Sequence, residues 1–369
     1  MKNEISEFLQ TRIDAKDFPS AVYLVAEKGE IVLRDAIGFA VVEPERIEAK
    51  IDTIYDLASL TKVLVTGLLC AKLIENGEIN LSDKISKYFS EFDTDEKREI
   101  TIQNLLTHTS GFHKWTPFYL LYNHDTTILE IIARQKQDSS IEENVIYSDL
   151  NFITLGLLIE KIYGWKSISK IANKEIIEDL NLSKTFFNPP KNLRKEIAAS
   201  EFGNEFEKQV CVDAGYNISD FDWRDYQIWG EVHDGNCWFL SCAAGHAGLF
   251  STAEETFKIA QQFLANQTSI LKPETCQLFR TNFTPNLNEA RSIGFQLAAT
   301  PESTASKALK EDSFGHLGFT GTSVWIEPET ERIFILLTNR THARQLPFVN
   351  INSTRRKFHE LATEILNRK

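Results

Sequence analysis

Methionine occurs once in 369 residues and cysteine five times, at Cys70, Cys211, Cys237, Cys242 and Cys276. No two cysteines have C-x-x-C spacing, so a metal knuckle or thioredoxin-like motif is not expected. No apolar run reaches about 18 residues, which excludes a transmembrane helix. The opening Met1-Lys2-Asn3-Glu4-Ile5 lacks the apolar segment of a secretory signal. As written, the chain is expected in the cytoplasm; a removed leader would place it in the periplasm. Basic residues are the minority, 40 Lys and Arg against 52 Asp and Glu, for a net charge of −12. Phosphate binding needs a basic face, so nucleic acid is not an expected partner. G-x-S-x-G, H-E-x-x-H and the P-loop are all missing, which removes the ordinary α/β-hydrolase, the zincin and the P-loop nucleotidase. Gly315, Gly318 and Gly321 have the wrong spacing for a dinucleotide fingerprint and precede a strand. No cofactor and no metal are expected.

What is present is an ordinary globular composition, 42% hydrophobic and 25% charged, with 25 phenylalanines. The chain is organised around Asp56-Leu57-Ala58-Ser59-Leu60-Thr61-Lys62. Val63, Leu64, Gly67, Leu68, Ala71 and Ile74 follow at helical spacing, with Asp56 as the expected cap and Asn76-Gly77 as the stop. Ser59 then falls in the first turn, where free N–H groups and the positive dipole end face outward. Residues three apart share a helix face, so Lys62 can reach the Ser59 hydroxyl. A serine is a weak nucleophile until a base takes its proton. Lysine serves as that base only if its surroundings lower its pKa.

The rest of the chain sorts into strands at both ends and helices between. Ile5, Phe8, Leu9 and Ile13 mark an N-terminal helix. Residues 21–26 and 31–36 read as one hairpin, and 323–326 with 332–338 as another. Helices are expected near 102–106, 128–134, 151–163, 176–180, 253–265, 266–290 (a short one) and 358–366. A strand is expected over 292–299, and long pocket-shaping loops over 188–238. The expected fold is α/β of the α+β type: an antiparallel sheet with the terminal helices on one face and a large helical insertion covering the other. Residues 1–75 and 243–369 would form the sheet lobe and 76–242 the helical and loop lobe, with the active site between them.

Three segments carry a resemblance. Ser59-Leu60-Thr61-Lys62, Tyr147-Ser148-Asp149 and His316-Leu317-Gly318 resemble, in order and context, the S-x-x-K, Y-x-N and K-T-G or H-x-G elements of penicillin-recognising serine hydrolases. The class C β-lactamase-like branch, with its esterases and D-amino-acid peptidases, is the most similar. The stretches 105–111 and 245–252 look like the family too. The resemblance implies Ser59 as the acylated nucleophile, Lys62 as base or proton-network holder, and Tyr147 as the proton shuttle. It places the oxyanion hole at the N–H groups of Ser59 and Phe319. Asp149, His316 and Gly318 would line the substrate site. A small-molecule or peptide substrate is implied.

Two departures matter. Asp149 stands where the pattern has Asn, and a carboxylate only accepts where an amide both donates and accepts. It can pair with Lys62, keep it charged, and shift base duty to Tyr147. His316-Leu317 replaces Lys-Thr, exchanging a permanent cation for a group only partly charged near neutrality. Both tilt the expectation from β-lactam toward ester or peptide hydrolysis. Two rival readings accompany this one. The chain could be a catalytically weak or inactive binding protein on the same fold, or a metal-dependent hydrolase using His233, Asp234 and His246. His108 and His246 otherwise read as structural, each in a small-residue turn.

Overall fold

The computed structural model describes residues 4–368. Among the described residues ten strands occur in chain order: β1 (Ser20–Glu27), β2 (Glu30–Val41), β3 (Ile47–Glu48), β4 (Tyr55–Asp56), β5 (Phe186–Phe187), β6 (Leu249–Ser251), β7 (Gln296–Leu297), β8 (Phe314–Leu317), β9 (Ser323–Glu327) and β10 (Arg332–Thr338). Seven of them form one antiparallel sheet in the order β3-β2-β1-β10-β9-β8-β7. The two chain ends meet at its centre, where Ala21 pairs with Thr338 and Glu27 with Arg332. The expected α+β architecture is therefore the observed one. A second small sheet, β4-β6-β5, lies at the site.

Alternation along the central strands separates two cores. Tyr23, Val25, Phe334 and Leu336 pack with Ile5, Leu9, Phe358 and Ala362 of the terminal helices. Val22, Leu24, Ile335 and Leu337 face the opposite way, into a larger core containing Val63, Leu64, Phe152, Leu155 and Ile259. The terminal helices, Glu4–Asp14 and Asn352–Asn367, contact each other and share one face.

Several local expectations are corrected. The C-terminal helix starts at Asn352, six residues before Phe358. The span 188–238 is not all loop: Glu205–Asp213 and Gly235–Phe239 are helical. Only Gln296–Leu297 of the stretch 292–299 pairs as a strand, because Gly294 turns at φ +81 just before it. The segment 315–322 does precede a strand, β9, but His316 itself lies inside a further strand, β8, and the turn at Gly318–Thr322 joins the two.

Candidate active site

The Ser59 segment is not a uniform helix. Ala58–Leu60 is a 3-10 turn, Lys62–Gly67 a π-helical stretch, and Leu68–Glu75 regular α-helix. Wide turns of this kind concentrate at functional sites. Asp56 is no helix cap. Its Oδ1 accepts the Ala58 N–H at 2.8 Å and its Oδ2 the His233 N–H at 2.8 Å. Ala58 is held at φ +48, a costly conformation for a residue with a Cβ. Thr320 and Thr322 donate to the carbonyls of Asp56 and Leu57, at 2.7 and 3.0 Å, and so tie the β8–β9 turn to the nucleophile turn.

Lys62 is fully buried, and its amine reaches three oxygens: Ser59 Oγ at 2.9 Å, the His246 carbonyl at 3.1 Å and Asp149 Oδ1 at 2.7 Å. Burial alone would favour the neutral amine. The Asp149 carboxylate and the Tyr147 phenol outweigh it and hold the ammonium above its ordinary range. This is the opposite of the tuning a neutral lysine base needs.

Tyr147 sits just before the helix Asp149–Ile162, with Lys62 Nζ 5.1 Å from its ring centroid. Burial pushes the phenol above its usual range. Lys62 and Ser59 pull it back, and Asp149 pushes it up further; the net direction is upward. His108 packs against the Tyr147 ring at 4.6 Å. Its Nδ1 accepts from the Ser148 N–H and Asn151 Nδ2, each at 3.1 Å. Accepting at that nitrogen suits a neutral ring, and burial with nearby Arg291 and Lys62 pushes His108 well below its usual value.

His316 is 4% exposed and also faces Tyr147, at 5.7 Å between rings. Burial, then Arg291 and Lys62, hold it well below the usual histidine range. It is therefore neutral at physiological pH, not partly charged as the sequence suggests. Gly318 has no room for a side chain, since a Cβ there would meet Thr322 Oγ1 at 2.0 Å and the Leu57 carbonyl at 2.6 Å.

Ser59, Tyr147, Asp149, His316, Gly318 and Phe319 all line one cavity of about 640 Å³. The structure thus brings these sequence-selected residues together, with Lys62 beneath them. The His233, Asp234 and His246 trio is split. His233 Nε2 meets Glu201 at 2.7 Å, while His246 Nε2 meets Asp234 at 3.0 Å. Asp149, Asp234 and His246 do offer ligand atoms within 4.8 Å of one another, but the Lys62 ammonium is the cation that Asp149 holds. Burial opposes the Asp234 charge; His246 outweighs it and keeps the carboxyl well below its usual range.

Sequence reading missed two arginines. Arg355 donates to the carbonyls of Gly318 and Thr322, at 3.0 and 2.9 Å. Arg340 donates to the Phe319 carbonyl at 2.7 Å. Together they hold the carbonyls around Phe319 turned away. A signal did exist for Arg355: it lies three residues before Phe358 and seven before Ala362, on the apolar face of the last helix, where a charge needs a reason.

The family model described as Beta-lactamase matches residues 5–352. A relative from Escherichia coli (strain K12), named "Putative D-alanyl-D-alanine carboxypeptidase", is 28% identical over 368 residues, covering 92% of this chain and 82% of its own. Among solved structures, the class C beta lactamase from Rhodobacter sphaeroides has a TM-score of 0.74 at 16% identity, covering 99% of this chain and all of its own. "EstCE1, a hydrolase with promiscuous acyltransferase activity" has a TM-score of 0.72 at 19% identity, covering 96% of this chain and 97% of its own. At those identities the structural likeness speaks for the fold alone. With the family model spanning nearly the whole chain, this protein belongs to the beta-lactamase family.

Proposed function

We propose that this chain is a serine hydrolase that forms an acyl-enzyme on Ser59 with an ester or peptide substrate. The observation that carries the reading is the Lys62 ammonium, buried and fixed between Ser59 Oγ and Asp149. Because Lys62 donates to Ser59 Oγ, the serine's own proton is free to point elsewhere, and Tyr147 lines the same cavity beside the Lys62 amine. Tyr147, held as the phenol in the resting site, first loses its proton to solvent, and the phenolate then takes the Ser59 proton as Oγ bonds to the substrate carbonyl carbon. Lys62 stays charged and supports the phenolate. Tyr147 then returns the proton to the leaving alcohol or amine as that bond breaks. A water repeats the sequence on the acyl-enzyme, restoring Ser59 and releasing the acid.

The Ser59 and Phe319 N–H groups form the oxyanion hole, which matters because charge develops there in the transition state. Neutral His316 offers the substrate a hydrogen-bonding partner in place of a fixed cation. That choice, with Asp149 in the amide position, favours esters and peptides over β-lactams.

Incubation with a fluorophosphonate followed by peptide mass spectrometry should place the adduct on Ser59. Ser59→Ala should lower hydrolysis of a short-chain chromogenic ester by at least about a thousandfold while the protein stays folded. Unchanged hydrolysis in that variant would reject the nucleophile.

A further inference from the structure

One oxygen of Asp149 meets Lys62; the other meets no donor among the described residues. The side chain is 18% exposed and lines the cavity. Asp234 lines the same wall, with one oxygen occupied by His246 Nε2 and the Cys237 N–H. Carboxylate oxygens of the two aspartates lie within 4.8 Å of each other. Lys62 holds Asp149 and His246 holds Asp234. Trp115 lines the same cavity, its segment tied to Asp149 by the Asp149 N–H donating to the Lys114 carbonyl at 3.0 Å. An aromatic ring in a cavity that also holds carboxylates adds to the attraction for a cation that stacks on it.

Position gives this wall a role. Lys62 bridges Ser59 Oγ and Asp149, so the carboxylate lies within two hydrogen-bond lengths of the nucleophile. A substituent on the carbon next to a scissile carbonyl is two bonds from the atom attacked. It therefore falls within reach of Asp149. A carboxylate accepts and never donates. It attracts an ammonium there and repels the carbonyl oxygen of an acyl-amide.

We propose that Asp149, with Asp234 and Trp115, selects substrates with a free ammonium next to the scissile carbonyl. These are unblocked amino-acid esters and peptides with an unblocked N-terminal residue, taken in preference to their N-acylated forms. The inference rests on Ser59 being the nucleophile. N-acylation removes the positive charge and brings a carbonyl oxygen toward two carboxylates, so discrimination of about tenfold or more follows.

The test measures kcat/KM for the methyl esters of alanine and N-acetylalanine, both enantiomers, by acid release near neutral pH. The free-amine ester should be preferred by at least about tenfold. Asp149→Asn should cut that preference by about as much. Because the ratio compares two substrates on one enzyme, any general effect of the substitution on Lys62 cancels. Fluorophosphonate labelling of Asp149→Asn reports whether its site is assembled, and Asp234→Asn, which keeps the helix cap, should lower the same ratio. Equal rates for the two esters, or a ratio unmoved in both variants, would overturn the selection. Labelling of Ser59 without turnover of either ester would also overturn it while leaving the nucleophile standing; failure to label Ser59 would instead remove the reading beneath it.

Discussion

Arg355 shows how single residues in this protein trade stability for chemistry. It is 4% exposed, and its guanidinium meets the carbonyls of Gly318 and Thr322 and the side chain of Asn352, none of them a carboxylate. Burial pushes it down to about 9, and Arg340 nearby adds to the shift. A buried cation without a counter-charge costs stability, and apolar residues of similar volume often replace buried charged groups at no loss. Its return is geometric: with Arg340 it holds the carbonyls of the turn that carries Phe319, whose N–H is the proposed oxyanion donor. Arg355→Met is therefore expected to keep or raise the thermal midpoint while lowering acylation by about tenfold to a hundredfold, somewhat less than removal of an oxyanion donor. Melting curves and burst kinetics on one preparation check both halves. A fall in midpoint with unchanged acylation would make Arg355 a structural residue instead.

The helix Asp149–Ile162 and the segment around Gly245 carry the same coupling at the level of elements. Gly156 lies in the helix interior, where Gly→Ala ordinarily gains about 1 kcal/mol. Here a Cβ on Gly156 would lie 2.9 Å from both the Cα and N of Gly245, and one on Gly245 would lie 2.1 Å from the Phe152 carbonyl. These are backbone atoms and cannot step aside as a flexible side chain would. The contact sets the depth of the loop whose His246 carbonyl holds Lys62 and whose Gly245 carbonyl accepts from Thr66. Overpacking of this kind costs about 1–3 kcal/mol, so the sign reverses. Gly156→Ala should lower the midpoint by several degrees and reduce ester hydrolysis, as thermal denaturation and an esterase assay would show; a gain in stability would mean the two segments can separate freely. The periodicity of Phe152, Leu155 and Ile159 made this helix legible in sequence. The glycine contact was not, because it joins segments about ninety residues apart and leaves no local pattern.

The same division between local and distant information runs through the whole molecule. Both hairpins, the terminal helix face and the sheet built from the chain ends were legible, since each rests on short periodic stretches. So was the set around Ser59, Tyr147 and His316, because each lies in a short motif. The reversed tuning of Lys62 and the neutral state of His316 were not, because burial and charge depend on neighbours from every layer. Burial also governs how the molecule as a whole responds to acid. His359 is fully buried and pushed down to about 4 by burial, with Arg355 adding to it and a bond to the Thr304 carbonyl opposing. His342 is likewise pushed down to about 4, and His108 and His316 well below their ordinary value. In each, the unfolded chain takes up a proton near pH 6.5 while the folded chain resists to lower pH, to about 4 for His359 and His342. The unfolded state thus binds more protons in that window, and stability falls as pH drops through it. For His359 alone the loss by pH 4 is roughly 3 kcal/mol. Other groups run the other way, Asp56 and Glu160 among them, each raised by burial. His233 is buried, which lowers it, yet Glu201 raises it overall, and burial raises Glu207 to about 7, so the folded state takes up their protons more readily. The four buried histidines are expected to prevail over these groups, so the thermal midpoint should fall steadily between about pH 6.5 and 4.5. His359→Gln, which keeps a donor for the Thr304 carbonyl and cannot be protonated, should flatten that slope. A midpoint flat across the window, or a slope unchanged in the variant, would mean that the buried histidines do not govern the acid limb.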